Sequence, residues 1–161
     1  MTNTEALKVT TPTEREIVMT RVFDAPRSLV FDAVTKPDLL KRWLLGPPGW
    51  SMPVCEIDLR VGGTYRYVWR RDRDGHEMGM GGVYREIVAP ERVVATERFD
   101  QAWYPGEAVG TIILVEQGGR TTLTQTLLYE SREARDAVTK SNMESGVAAS
   151  YDRLAKVLAS K

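Results

Sequence analysis

Apolar side chains recur every three or four residues along the last twenty residues of the chain. Met143, Val147, Tyr151, Leu154 and Leu158 follow one another at steps of 4, 4, 3 and 4. Because an α-helix has about 3.6 residues per turn, these positions lie on one stripe of a helix. The pattern predicts a long helix over about 142–159. Gly146 in its middle leaves either room for another molecule or a close crossing with a neighbouring element, and both interpretations stay open.

Between residues 52 and 129 the hydrophobic period shortens to two, which is the period of β-strands. The alternation predicts strands at 52–60, 64–71, 78–88, 91–99, 108–117 and 120–129, and an earlier strand at 14–23. Glycine pairs or an Asp-Gly tip separate several of these segments, as expected for hairpin turns. The sequence therefore predicts a series of antiparallel neighbours.

Three shorter helices are also predicted. The first covers 27–35, with Asp24 as a candidate cap and Pro26 in the first turn. The second covers 38–43 and follows a proline that ends the first. Ser131 is the expected cap of the third helix, which lies directly before the long final one.

The predicted order is one strand, two helices, six strands and a long final helix. This order is typical of α+β proteins with an antiparallel sheet. Seven consecutive strands are expected to curl around the final helix. A helix that fills only part of the hollow of such a sheet leaves a cavity. Residues 1–13 are polar and rich in threonine, so they are predicted to be a flexible arm, and residues 14–161 a single domain.

Charge and composition narrow the classes of function. The chain has 22 Lys and Arg and 22 Asp and Glu, so its formal net charge is zero, and nucleic-acid binding, which needs a basic surplus, is not expected. No apolar run approaches the roughly 20 residues that a membrane span needs, and the N-terminal residues show no secretory signal. With Cys55 as the only cysteine, no intramolecular disulfide can form, which fits the cytoplasm.

Three aromatic residues form the most informative local pattern. Tyr65, Tyr67 and Trp69 alternate along one predicted strand, so they lie on the same face of it. On a concave face they would form an aromatic wall suited to a mostly apolar ligand with one or two polar anchors. Ordinary packing against the final helix explains the same pattern, and the two interpretations remain open.

Carboxylates are the other candidate chemical groups. Those in predicted strands are Glu56, Asp58, Glu86, Glu97 and Glu116. A carboxylate that faced an apolar interior would have a raised pKa and could act as an acid or a base. Solvated strand faces account for most of them, and the alternation does not show which one points inward.

Metal and nucleotide sites are not supported by the sequence. His76 is the only histidine and lies beside a predicted hairpin tip, and together with Cys55 it supplies too few ligands for zinc. The glycines of residues 79–82 lack the third glycine of a dinucleotide-binding loop, so we interpret 78–82 as a β-bulge or bend that also allows a soft pocket lining. No cofactor and no metal are expected.

Several segments resemble a known family. They are FDAPRSLVFDAVT, LLKRWLLGPPGW, LRVGGTYRYVWR, the run DGHEMGMGGVYREIVAPERVV and GVAASYDRLAKVL. They are similar to the bacterial single-domain homologues of the C-terminal domain of the heat-shock protein 90 ATPase activator, within the START/polyketide-cyclase (SRPBCC) superfamily, over about residues 14–159. The resemblance implies a helix-grip fold, in which a curved antiparallel sheet holds the C-terminal helix with a cavity between them.

The resemblance implies a broad range of functions, because members bind hydrophobic molecules, cyclise polyketides, sequester natural products or stimulate the chaperone. The eukaryotic activators carry an additional N-terminal domain for which this chain has no room, so the chaperone function is less favoured. Trp43 and the three strand aromatics match positions that line or close the cavity in relatives. No catalytic residue is implied.

We therefore predict a cytoplasmic protein that binds a small, largely hydrophobic or aromatic molecule between the sheet and the final helix. The predicted ligand-binding residues are Trp43, Tyr65, Tyr67, Trp69, Met80, Trp103, Met143, Val147 and Tyr151. The alternatives are a cyclase- or hydrolase-type enzyme that uses the same cavity, and a co-regulator of a chaperone ATPase. A homodimer also remains open.

Overall fold

A computed structural model describes residues 6–101 and 104–160. The strands and helices within these ranges are β1 Lys8–Thr10, β2 Glu16–Phe23, α1 Arg27–Thr35, α2 Pro37–Trp43, β3 Trp50–Ile57, β4 Thr64–Arg71, β5 Glu77–Val88, β6 Arg92–Phe99, β7 Ala108–Gln117, β8 Arg120–Leu128, α3 Arg132–Thr139 and α4 Met143–Ala159. No helix of the described residues is both long enough and apolar enough to cross a membrane.

The strands form one antiparallel sheet in the order β1-β2-β8-β7-β6-β5-β4-β3. The sheet curves around α4, which confirms the predicted α+β helix-grip architecture. Hairpins join β3 to β8 in sequence, so each of these strands pairs with the next one along the chain. Because β8 also pairs with β2, the strand that precedes the first helix lies next to the last strand of the chain.

An ion pair between a buried arginine and an exposed aspartate, together with an aromatic contact, fixes α4 to the sheet. Arg21 is 5% exposed and its Nη1 donates to the Asp152 carboxylate at 2.8 Å. Its guanidinium also lies 5.3 Å from the centre of the Phe23 ring, which in turn meets Tyr151 edge to face. The Tyr151 hydroxyl donates to Gln125 of β8 at 3.1 Å. These contacts set the position of α4 above β2 and β8.

The segment predicted to be a flexible arm is structured in part. Residues 8–10 form β1, which pairs with Thr20, Met19 and Val18 of β2. The prediction is therefore wrong for these three residues. The reason is that β2 would otherwise leave an edge of unpaired backbone groups, which a short polar segment can satisfy even without a strong hydrophobic pattern. Residues 1–5 of the predicted arm lie outside the described residues.

Two local predictions need correction. Pro26 is the N-cap of α1, no side chain caps that end, and Asp24 lies too far ahead of it to do so. Residues 78–82 pair in regular register with β4 instead of forming a bulge, and the irregularity falls between Tyr84 and Glu86. A side chain at Gly82 would clash with the Thr96 carbonyl oxygen, so this glycine permits a close approach of strands.

The remaining predicted elements agree with the structure to within a few residues. The limits of α1, β4 and β7 are those that the sequence predicts. Ser131 caps α3 by accepting a hydrogen bond from the Ala134 backbone nitrogen at 3.1 Å. The helix stripe of α4 is also confirmed, because Tyr151, Leu154 and Leu158 are buried in the main hydrophobic core.

Candidate functional site

A cavity of about 670 Å³ lies between the sheet and α4. Most of its lining comes from β4 to β8, from α4, from α2 and from the loop that follows α2, and β2, β3, α1 and α3 contribute one residue each. Almost all of these side chains are apolar or aromatic. Among the described residues that line the cavity, Glu97 is the only one with a charged side chain.

The predicted aromatic wall lies on the cavity side of β4. The Tyr65 and Tyr67 ring centres are 4.9 Å apart, and those of Tyr67 and Trp69 are 5.8 Å apart. The Tyr65 hydroxyl donates to the Thr96 carbonyl oxygen at 2.6 Å, and the Trp69 indole nitrogen donates to the Leu44 carbonyl oxygen at 2.7 Å. Because both polar groups are already bonded to the backbone, these two residues present mainly their ring surfaces to the cavity.

The structure brings together every predicted site residue that it describes. Those lining the cavity are Trp43, Tyr65, Tyr67, Trp69, Met80, Met143, Val147 and Tyr151. Trp103 lies outside the described residues. Their shared location follows from two periods, since alternate residues of a strand and every third or fourth residue of a helix share a face. Their role in ligand binding remains a prediction.

Glu97 is the strand carboxylate that faces inward. In β6 it follows Val93 and Ala95 on the alternating face that lines the cavity, and Phe99 comes next on the same face. The other four candidates are exposed, and one of them, Asp58, lies beyond the end of β3. The apolar neighbours two and four residues before Glu97 and two residues after it were a signal in the sequence that could have singled it out.

The surroundings of Glu97 favour its neutral form. Burial raises the pKa of Glu97 to about 7. No side chain of the described residues forms a hydrogen bond or an ion pair with its carboxyl group. The pKa values of Tyr104 and Tyr129 are also raised, mainly by burial and then by the nearby Glu97 charge. At neutral pH the site therefore combines neutral phenols with one carboxyl group that can hold or release a proton.

The loop after α2 closes one end of the cavity and was not identified from the sequence as part of the site. Both backbone groups of Gly46 are bound by α4: its nitrogen donates to the Ser150 hydroxyl at 2.8 Å, and its oxygen accepts from Arg153 at 2.7 Å. Gly46 has a φ of 68°, a conformation that favours glycine. Pro47 follows and packs beside Gly146 of α4.

Replacing Gly146 with alanine is expected to raise the free energy of unfolding by about 0.5–1 kcal/mol, because alanine favours the helix more than glycine does. An added Cβ would lie 3.4 Å from Pro47 Cδ, which is an ordinary contact distance. Urea denaturation monitored by circular dichroism measures the change. Gly146→Leu is the contrasting variant, since its longer side chain must displace the loop. A destabilised alanine variant would show that the helix and loop cross more tightly than this geometry implies.

The comparisons with known proteins agree with this architecture. Residues 24–159 match the family model described as Activator of Hsp90 ATPase homolog 1-like protein. The chain belongs to this family. No curated protein matches the chain.

Solved structures similar to this AHSA1-like chain come from several bacteria. A Rhodobacter sphaeroides protein is 29% identical with a TM-score of 0.91, and the match covers 98% of this chain and all of that one. A Chromobacterium violaceum protein is 30% identical with a TM-score of 0.78, with 91% and 98% covered. The AHSA1-like protein from Aeromonas hydrophila, 17% identical with a TM-score of 0.69 over 88% and 93% of the chains, shares the fold.

His76 and Cys55 of this AHSA1-like chain are not among the residues that line the cavity. His76 is exposed beside the β4–β5 turn, where its ring lies 6.4 Å from that of Trp50. Cys55 is buried, and burial raises the pKa of its thiol to about 11, which disfavours the reactive thiolate. No group of three or more potential metal ligands occurs in the part of the chain that the structure describes.

Proposed function

We propose that this protein binds a small, largely apolar and partly aromatic molecule in the cavity between the sheet and α4. The observation that carries the proposal is the aromatic wall of β4, which faces a cavity of about 670 Å³. That volume lies within the roughly 300–1,000 Å³ range of small-molecule sites, whose walls are also mostly hydrophobic. The proposal includes a cytoplasmic location, which the single cysteine supports.

The wall provides affinity through apolar contact. Each Å² of apolar surface removed from water contributes roughly 25 cal/mol, so a ligand ring stacked on one indole gains on the order of 1–2 kcal/mol. The rings of Tyr65 and Trp69 are held by hydrogen bonds to the backbone, and Tyr67 packs between them. A ligand therefore loses little of this gain to the ordering of the wall.

Replacing Trp69 with alanine is expected to weaken the binding of an aromatic ligand about tenfold, through loss of this contact. Hits are first found by thermal shift against a panel of neutral aromatic molecules, and their affinities are then measured by calorimetry. Trp69→Phe is the matched control, because it keeps a ring but loses the hydrogen bond to Leu44. If phenylalanine weakens binding as much as alanine does, the loop anchor matters more than the ring. Affinities unchanged in both variants would contradict the assignment of this wall.

A second function is favoured by one observation, the cavity carboxyl group of Glu97 with its pKa near 7. A group with such a pKa can accept and donate protons at neutral pH, as general acid–base catalysis requires. An enzyme of the cyclase or hydrolase type is therefore the alternative proposal, with Glu97 as the proton-transfer group. Turnover that persists in Glu97→Gln would exclude this role. A chaperone partner and a homodimer have no comparable support.

A further inference from the structure

We infer that the molecule bound in this cavity is a lipophilic amine whose ammonium group pairs with the Glu97 carboxylate while its apolar body lies along the aromatic wall. This inference rests on the proposed function and specifies its ligand class. It follows from three features of the site: one unpaired carboxylate, no cation among the described lining residues, and aromatic rings around that carboxylate.

The first feature is the missing counter-charge. Glu97 has no hydrogen-bond or ion-pair partner in the part of the chain that the structure describes. The nearest cation along the strand, Arg98, is exposed and lies 3.9 Å from Glu107. Glu107 also lies 3.7 Å from Arg85. These charges pair with one another, so the described residues supply no cation to Glu97. Its charge is neutralised either by a proton or by a cation on the ligand.

The second feature is the set of groups that face Glu97. Tyr65 and Tyr67 in β4, Tyr104 before β7 and Tyr129 after β8 line the same cavity as Glu97, and the Tyr65 hydroxyl donates to the backbone oxygen of Thr96, the residue before Glu97. Burial, and after it the Glu97 charge, raises the pKa values of Tyr65, Tyr104 and Tyr129. Ala108 of β7 is the residue that pairs with Glu97. Met143 and Val147 of α4 also line the cavity. The tyrosines stay neutral at physiological pH, so Glu97 is the group that titrates.

An ammonium group complements this environment better than the other common polar head groups. It donates charge-assisted hydrogen bonds to a carboxylate, and the faces of aromatic rings attract cations. A ligand carboxylate would place two like charges in an apolar cavity, which is unfavourable. An alcohol can bond to either form of Glu97 but gains no ionic contribution. The expected order of affinity is therefore amine, then alcohol, then carboxylate.

The test uses three probes with one apolar body: a biphenyl-substituted butylamine, the matching butanol and the matching butanoic acid. Their affinities for the full chain are measured by calorimetry at pH 8, where Glu97 is ionised and the amine is protonated. We expect the amine to bind at least about tenfold more tightly than the alcohol. The reason is that a hydrogen bond to a charged group contributes more than about 1.4 kcal/mol, the value that corresponds to a tenfold change in affinity. Between pH 8 and pH 5.5 the amine should lose about tenfold or more, because Glu97 takes up a proton.

Glu97→Gln keeps the size of the side chain and removes its charge. In this variant the amine should lose its advantage, while the alcohol should bind within about threefold of its original affinity. Glu56→Gln is the matched control, because Glu56 is exposed on β3, and it should leave all three affinities unchanged. An advantage that disappears in this control would show a general effect of charge and overturn the inference.

The outcomes separate the inference from the proposed function. If the alcohol binds as tightly as the amine, or if Glu97→Gln still prefers the amine, the amine assignment is wrong and the cavity remains a binding site for neutral molecules. If none of the three probes binds the unaltered protein, the inference and the proposed function are both contradicted.

Discussion

Replacing Glu97 with glutamine is expected to raise the free energy of unfolding at pH 8 by up to about 3 kcal/mol. The reason is that the ligand-free cavity holds an ionised carboxyl group without a partner. Burial raises the pKa of this group from 4.5 to about 7, so folding disfavours its charged form. Glutamine keeps the shape and carries no charge. Water inside the cavity would lower the gain, which makes the stated value an upper limit.

The same shift predicts how stability depends on pH. Between pH 4.5 and 7 the folded protein holds the Glu97 proton more tightly than the unfolded chain does, so this contribution to stability is full below pH 4.5 and is lost as the pH rises through 7. Well above pH 7 the carboxyl group is ionised in both the folded and the unfolded protein, so its effect on the free energy of unfolding no longer changes with pH. Urea denaturation at intervals across this range measures the slope.

Two variants separate the Glu97 contribution from those of other groups. Glu97→Gln should lack the Glu97 part of the decline, whereas Glu56→Gln, at an exposed position of β3, should retain it. Equal pH profiles in the unaltered protein and in Glu97→Gln would mean that the carboxyl group is solvated, and would remove the physical basis of the amine inference. If Glu97→Gln is more stable but binds the ligand less well, Glu97 serves binding at a cost in stability. Such a trade-off is frequent at functional sites.

Replacing Leu154 with alanine is expected to lower the free energy of unfolding by about 3 kcal/mol, within the roughly 2–5 kcal/mol range of such core truncations. Leu154 is fully buried on α4 and belongs to the main core, but it does not line the cavity. Its truncation leaves a void where α4 packs against the neighbouring elements. Denaturation in urea measures the loss, and the dependence of unfolding on urea concentration should stay unchanged.

The matched variant for this prediction is Leu154→Met, which preserves volume and should cost less than about 1.5 kcal/mol. Because neither change touches the cavity lining, the affinity for a ligand should be retained wherever the variant is folded. A small loss in Leu154→Ala would indicate that α4 can shift to fill the void. In that case the cavity volume would depend on the position of α4, and ligand affinity would change together with stability.

The alternation of apolar and polar residues predicted part of the site. The aromatic wall of β4 was predictable because Tyr65, Tyr67 and Trp69 share one strand face, and the stripe of α4 was predictable in the same way. Alternation also places Glu97 on the face of Val93 and Phe99. What alternation cannot show is which face is concave, because that depends on how distant strands pair and where the helix lies.

Contacts between residues far apart in the sequence could not be predicted from the pattern of the chain. Gly46 is bound by Ser150 and Arg153, which lie more than 100 residues further along the chain. β1 exists because β2 offers an unpaired edge, and not because residues 8–10 have a strong strand pattern of their own. Interactions between parts so far apart in sequence leave no periodic signal.

The order of the helices and strands, the two periods that define their apolar faces, and the family resemblance can all be predicted from the amino-acid sequence. These properties depend on neighbouring residues and on the steric limits of the backbone. Two further properties are visible only in the folded chain: one of the five candidate carboxylates enters an apolar cavity, and no described residue that lines this cavity carries the opposite charge. Desolvation and pairing depend on what surrounds a group in space, and for Glu97 those surroundings come from strands and loops spread over more than 60 residues of the chain.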